Sequence, residues 1–281
     1  MRNPILSLLK PFRSPPFFSQ VYPTSRNACK PLRNHNQIRG LPCTLIFKSQ
    51  TPRNDNSLRH RYEPIEGTEK LESYRVGGYH PIAIGDQFHD RYRVIHKLGH
   101  GTYSTVWLAQ AQKVNRYVAV RVCTADSNLL ELDVLSELSS PQQSQGTSLG
   151  RTMIPSVLDA FHIHGPNGTH ACYVTTPARM SLSEAKDESY NRLFQLEVAR
   201  ALAAQLAIAV EYLHSQGFAH GDLHYGNILL QLPYDLDQLS IEELYQKYGE
   251  PQLEPIRCFD GKPPARYPIA CCYTNMVWRS K

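Results

Sequence analysis

From Tyr92 onward, short runs rich in Val, Ile, Tyr and Trp alternate with polar positions, the period-two pattern of strands. The pattern predicts strands over Tyr92 to Leu98, Thr105 to Ala109 and Val118 to Val122, joined by a glycine-rich turn and a polar turn around Asn115 as an antiparallel meander. Leu129, Leu132, Leu135 and Leu138 then recur at helical spacing and leave Glu131 on the flank of the apolar stripe. Pro141 to Gly150 is polar and reads as a loop, and strands resume at Ser156 to His162 and Ala171 to Thr175 around a Gly165 to Gly168 turn. The clearest helix is predicted over Asn191 to His214, with Gly217 as its stop signal. Its Ala201 to Val210 portion is apolar nearly all round, which calls for cover on every side, and no later segment looks able to supply it. After Leu230 the chain is Pro-rich and irregular apart from a short helix expected over Ser240 to Tyr248.

Composition changes this picture mainly at the N-terminus. The chain has 281 residues, 41% of them hydrophobic, as in ordinary soluble globular proteins. Its formal charge of +5 is unevenly spread: the first 54 residues hold nine Lys and Arg and no acid, so they carry +9 and the remainder −4. A basic nucleic-acid-binding face is therefore not expected in the folded part. The acid-free, Arg- and Ser-containing start has the composition of an organelle-targeting presequence. Pro4, Pro11, Pro15 and Pro16 would interrupt the helix such a segment forms, and a disordered basic tail fits equally well. Seven cysteines without a C-x-x-C pair suggest a reduced, intracellular protein. The longest apolar stretch is broken by Gln205 and is far shorter than the roughly 20 residues of a membrane-spanning helix, so no span is expected.

Three segments carry chemistry. Gly99-His100-Gly101-Thr102-Tyr103-Ser104-Thr105-Val106 lies between two predicted strands, where small residues let the backbone bend over phosphate oxygens and present N–H groups to them. An ordinary hairpin turn would look the same in isolation. Val118-Ala119-Val120-Arg121 follows, at the place where kinases set a lysine on the α- and β-phosphates, paired with a helix glutamate. Arg121 keeps the charge with a different donor geometry, and Glu131 is its expected partner. Directly after the long helix, His220-Gly221-Asp222-Leu223-His224-Tyr225-Gly226-Asn227 sets a carboxylate and an amide five residues apart. The carboxylate suits accepting a hydroxyl proton, and the amide oxygen suits ligating magnesium without adding charge.

This last segment resembles the H-R-D-x-x-x-x-N catalytic loop of protein kinases. Tyr74-Arg75-Val76-Gly77-Gly78-Tyr79-His80-Pro81, Gly85-Asp86, Arg91-Tyr92 and Lys97 to Ala109 look like the opening of fungal members of the serine/arginine-rich-protein-specific kinase family, and the likeness covers roughly residues 74 to 270. The resemblance implies an α+β, protein-kinase-like bilobal fold with a β-rich N-lobe and a partial helical C-lobe. Residues 1–73 would be a basic, disordered region, 74–178 the N-lobe and hinge, 179–232 the C-lobe part with the catalytic loop, and 233–281 a Pro-rich spacer-like tail. It further implies ATP and Mg2+ as cofactors, serine or threonine phosphorylation of Arg/Ser-rich splicing factors, and a place in cytoplasm and nucleus, against the mitochondrial alternative from the N-terminal composition. By the same resemblance ATP would be held by Leu98, Gly99, His100, Gly101, Thr102, Tyr103, Ser104, Val106, Ala119, Arg121, Glu131, Thr176 and Ala178, with Thr175 gating the adenine pocket. Asn227 would hold magnesium, and Asp222 and His224 would be catalytic. Ser104 is an expected variant, since the family itself has serine for the third loop glycine.

The chain departs from the kinase pattern at Arg121, at Gly221 in place of an arginine, and at His224 in place of the lysine that steadies the γ-phosphate. The family also carries a spacer ahead of its second magnesium-binding aspartate. Pro233 to Lys281 resembles the start of that spacer, with Asp260-Gly261 inside it, so the expectation is a truncated form with little activity of its own. Two other readings stand beside this one. A catalytically inactive scaffold binding nucleotide or a partner is favoured by the three departures, and a small-molecule kinase shares the H-G-D-L-H-x-x-N loop. The stretch from Tyr74 to Ala109 counts against the latter.

Overall fold

The computed structural model describes residues 61–139, 148–232, 235–262 and 270–272. The presequence-like first 54 residues and most of the Pro141 to Gly150 loop lie outside them. Six antiparallel strands, β1 (Gln87–Phe88), β2 (Tyr92–Gly101), β3 (Ser104–Ala111), β4 (Arg116–Cys123), β5 (Asp159–Gly165) and β6 (Gly168–Thr175), form one sheet in the order β1-β2-β3-β4-β6-β5. The expected meander is present, and pairing continues to the hairpin tip at Gly101↔Ser104. Strand β5 begins at Asp159 instead of Ser156. Arg151 holds the preceding stretch in a loop by donating to the Ile154 carbonyl and the Ser156 hydroxyl.

Four α-helices and four further short strands lie among the described residues: α1 (Leu130–Ser139), β7 (Ala178–Ser181), α2 (Leu182–Asp187), α3 (Leu196–Ser215), β8 (Leu229–Gln231), α4 (Ile241–Tyr248), β9 (Leu253–Pro255) and β10 (Ala270–Cys272). Helix α3 starts five residues later than its sequence pattern predicts, because Asn191 and Arg192 have φ of 57° and 54°, left-handed values that a right-handed helix cannot incorporate. Its apolar Ala201 to Val210 portion stays half-buried or exposed among the described residues, as the lack of a covering segment leads one to expect. One contact is close: a Cβ on Gly150 would come within 2.6 Å of the Ile208 carbonyl, so the turn at Leu149–Met153 presses its backbone onto α3. Among the described residues no helix is long and apolar enough to cross a membrane.

Both faces of the sheet are packed. Val94, Trp107, Val118, Val120, Val122, Phe161, Cys172 and Val174 make the core on one face, each full burial contributing about 1.5–3 kcal/mol. On the other face Ile95, Leu108 and Tyr117 meet Leu236, Leu244 and Tyr248. The segment expected to be an irregular tail from residue 233 therefore docks on the sheet. A reciprocal capping box between Ser240 and Glu243 starts α4, and Tyr245 donates to the Ile95 carbonyl at 2.9 Å. Asp237 closes the dock by accepting from the Tyr117 N–H at 2.6 Å and from Arg116 Nε at 3.1 Å. Replacing Asp237 by Ala removes both acceptors and is expected to lower unfolding free energy by about 1–3 kcal/mol, a shift readable in a urea titration of the full chain.

Packing also reaches further toward the N-terminus than the expected boundary at residue 74. Tyr62 bridges Cys258, and Tyr62, Leu71, Tyr74, Tyr79 and Ile256 form a buried cluster. Glu69, 3% exposed in a stretch with no apolar periodicity to announce it, pairs with Lys97 at the end of β2 nearest the glycine-rich hairpin. Asp260-Gly261 belongs to this region too: Phe259 donates to the Arg61 carbonyl, and Gly261 closes a turn on Cys258.

Candidate active site

Pleating and register bring the candidate nucleotide residues together. Residues 117, 119 and 121 alternate to the same face of β4, and Val106 lies opposite Arg121 while Thr175 lies opposite Ala119. Leu98 packs against the cluster that includes Leu108 and Tyr117. The hairpin tip, Gly101 to Tyr103, is exposed, with Ser104 buried where β3 begins. Thr176 and Pro177 link β6 to β7, so the expected hinge sits at the end of the strand that flanks Ala119.

Arg121 Nη1 donates to both carboxylate oxygens of Glu131 at 2.9 Å, which realises the strand-to-helix ion pair with an arginine. The pair is partly solvated, with side chains 34% and 57% exposed, a setting in which such a pair adds at most about 1 kcal/mol to stability. Its geometry matters more than its energy, because it aims a cation along the sheet face that holds Val106 and Ala119. The guanidinium also lies 5.5 Å from the centre of the Tyr173 ring. Burial, which outweighs the nearby arginine, pushes the Tyr173 hydroxyl well above the usual phenol range.

The second half of the site follows α3. Strand β7 pairs with β8 at Ser181↔Leu229, and Leu182 donates to the Ile228 carbonyl, so the segment after the hinge braces the loop that carries Asp222. Within that loop Asn227 Nδ2 donates to the Asp222 carbonyl at 2.9 Å and to Asp222 Oδ2 at 3.0 Å. The Gly226 N–H donates to His224 Nδ1 at 3.1 Å, which places the ring proton on Nε2, 3.7 Å from Asp222 Oδ2. A Cβ on Gly226 would meet the His224 ring at 2.8 Å. Gly221 has φ of +76°, so the residue that departs from the kinase arginine occupies a backbone conformation suited to glycine. Asp222 and His224 remain open to solvent, with side chains 79% and 57% exposed.

The donor set suits a hard cation shared with phosphates. With Nδ2 turned toward Asp222, the Asn227 carbonyl oxygen is the end of the amide left for an ion, and magnesium commonly takes one or two protein oxygens beside substrate phosphates. Among the described residues no group of three or more His, Cys, Asp and Glu forms a cage of its own. Sequence reasoning missed Tyr79, which donates to the carbonyls of Gly101 and Thr102 in the hairpin, and missed Glu69 behind it. The glycine pair before Tyr79 was the available signal for the first, and nothing marked the second.

The protein kinase domain family matches residues 92–237. The chain is 37% identical over 171 residues to "Protein kinase dsk1" of Schizosaccharomyces pombe, a stretch covering 59% of this chain and 31% of that protein. It is 31% identical over 171 residues to "Serine/threonine-protein kinase SKY1" of Saccharomyces cerevisiae, covering 58% of this chain and 23% of that one. Against the human "SRSF protein kinase 3" the identity is 33% over 168 residues, covering 59% and 30%. This chain thus spans less than a third of the length of each of these relatives. A solved kinase-domain structure is similar with a TM-score of 0.48 at 25% identity, over 66% of this chain and 49% of its own. The packed meander, the Arg121–Glu131 pair, the Asp222–Asn227 loop and these sequence matches lead to one conclusion, that the chain belongs to the protein kinase domain family.

Proposed function

We propose that this protein binds ATP with magnesium and transfers the γ-phosphoryl group to a serine or threonine of an Arg/Ser-rich protein. The observation that carries the reading is the Asp222 carboxylate held at 3.0 Å by Asn227 beside the His224 ring. Both of those contacts fall on Oδ2, which leaves Oδ1 to accept the proton of the attacking hydroxyl. In this reading the hairpin from Leu98 to Ser104 covers the phosphates, and Val106 and Ala119 line the adenine side. The backbone of Thr176 and Ala178 binds the adenine edge, and Arg121, aligned by Glu131, reaches the phosphates. Asn227 holds magnesium, which when bound neutralises charge on the β- and γ-phosphates. His224 donates from Nε2 to the transferring group. Residues 74–178 then act as N-lobe and hinge and 179–232 as the C-lobe part. The names of the yeast and human relatives support a protein acceptor over a small molecule, and the family resemblance proposes cytoplasm and nucleus as the place of action.

Calorimetric titration of the full chain with ATP tests the binding half of the proposal. Affinity should rise when magnesium is added and fall for Asn227→Ala. For the transfer half, Arg121→Lys supplies a compact ammonium in place of the planar fork and is expected to raise the rate severalfold at unchanged stability. A variant that binds ATP and still transfers nothing would favour the nucleotide-binding scaffold.

A further inference from the structure

The motif from Tyr74 to Pro81 has no part in the chemistry described above, and its structure is more constrained than a linker needs. A Cβ on Gly78 would fall 1.8 Å from the Ser73 carbonyl, and Gly77 has φ of +85°, so this turn is shaped for two glycines. The Gly77 N–H donates to the Asn167 carbonyl at 2.8 Å. Asn167, 4% exposed in the β5–β6 turn, returns a bond from Nδ2 to the Tyr79 carbonyl at 2.6 Å. Tyr79 is thereby fixed at its backbone, and its ring lies 5.5 Å from that of Tyr74.

From this anchored position the Tyr79 hydroxyl donates to the Gly101 carbonyl at 2.7 Å and the Thr102 carbonyl at 3.1 Å. The next carbonyl along, that of Tyr103, accepts from the Thr124 N–H at 2.8 Å. In a trans peptide the C=O and the following N–H point to opposite edges of one plane. Holding the carbonyls of Gly101 and Thr102 therefore also sets the direction of the N–H groups of Thr102 and Tyr103. Those are the groups at the tip of the hairpin that, on the reading above, faces the phosphates.

We propose that Tyr79 is a positioning residue for the nucleotide phosphates, its hydroxyl presetting the two peptide planes at the tip of the glycine-rich hairpin. The proposal rests on the nucleotide reading. Burial holds the hydroxyl above the usual phenol range, so it remains a donor at neutral pH. The test compares magnesium-ATP with adenosine, which has no phosphates for the hairpin to hold, on the full chain. Tyr79→Phe keeps the ring and removes the donor; ATP should bind about two- to tenfold more weakly, the worth of one neutral hydrogen bond, with adenosine affinity unchanged and the melting temperature lowered by no more than the few degrees that one hydrogen bond contributes. Placing 4-aminophenylalanine at position 79 restores a donor and should recover ATP affinity. Equal ATP affinity in Tyr79→Phe, or a parallel loss for ATP and adenosine, overturns the positioning role. A wild-type chain that binds ATP no better than adenosine overturns the nucleotide reading itself, and the positioning role with it.

Discussion

Asp222→Asn should reduce phosphoryl transfer to a peptide by about 100- to 10,000-fold, the range over which a positioned general base acts, while ATP binding and the melting curve stay at wild-type values. Asn at this position can still accept from Asn227 Nδ2, so the loop keeps its internal hydrogen bond at 3.0 Å. What is lost is the negative charge that takes the hydroxyl proton. Steady-state kinetics separate the two roles: kcat falls and the ATP KM is unchanged. A fall in ATP affinity of similar size would instead make Asp222 part of the nucleotide site.

The largest effect on stability is expected at Glu69→Ala. The Lys97 and Glu69 side chains are 1% and 2% exposed, Tyr74 also donates to Glu69, and Lys97 lies 5.8 Å from the centre of the Trp107 ring. Removing the carboxylate takes the ion-pair partner away from a buried ammonium and should cost about 3–5 kcal/mol, a large fraction of the roughly 5–15 kcal/mol that holds a domain folded. The double replacement Glu69→Leu with Lys97→Met removes both charges and should recover most of the loss. Acid provides a second check. Burial alone would raise the Glu69 carboxyl, but the Lys97 charge and the hydrogen bonds from Lys97 and Tyr74 outweigh it and bring it below its ordinary 4.5. A carboxyl lowered on folding contributes stability that is present above the unfolded value and is lost as pH falls through the folded value. The wild type should therefore lose this contribution on acidification below about 4.5, and the double variant should lack that component.

The meander and the order of chemical segments were legible because β2, β3 and β4 are local hairpins whose alternation is written in adjacent residues. The short helix expected over Ser240 to Tyr248 is present as α4, Ile241–Tyr248. Its docking was not legible, because Asp237 meets Tyr117 across 120 positions and no local period records that contact. Glu69 escaped for the same reason, and as one of four acids in a polar run, with Glu63, Glu66 and Glu72, it resembled its solvated neighbours. The first turn of α3 was misplaced because Asn191 and Arg192 continue a helical composition while their backbone turns left-handed. At the site, the five-residue spacing singled out Asp222 and Asn227, and the strand and helix patterns paired Arg121 with Glu131; the structure brings each pair into hydrogen-bond contact. The carbonyl grip of Tyr79 on the hairpin involves backbone atoms, which a sequence does not distinguish.

The most direct test of the central claim is transfer from radiolabelled ATP, with magnesium, by the full chain offered an Arg-Ser repeat peptide, the same peptide with alanine for serine, and a small amino alcohol. The expected result is a low level of label, on the serine peptide alone, abolished by Asp222→Asn. Label on the amino alcohol, or tight ATP binding with no label on any acceptor, would contradict it.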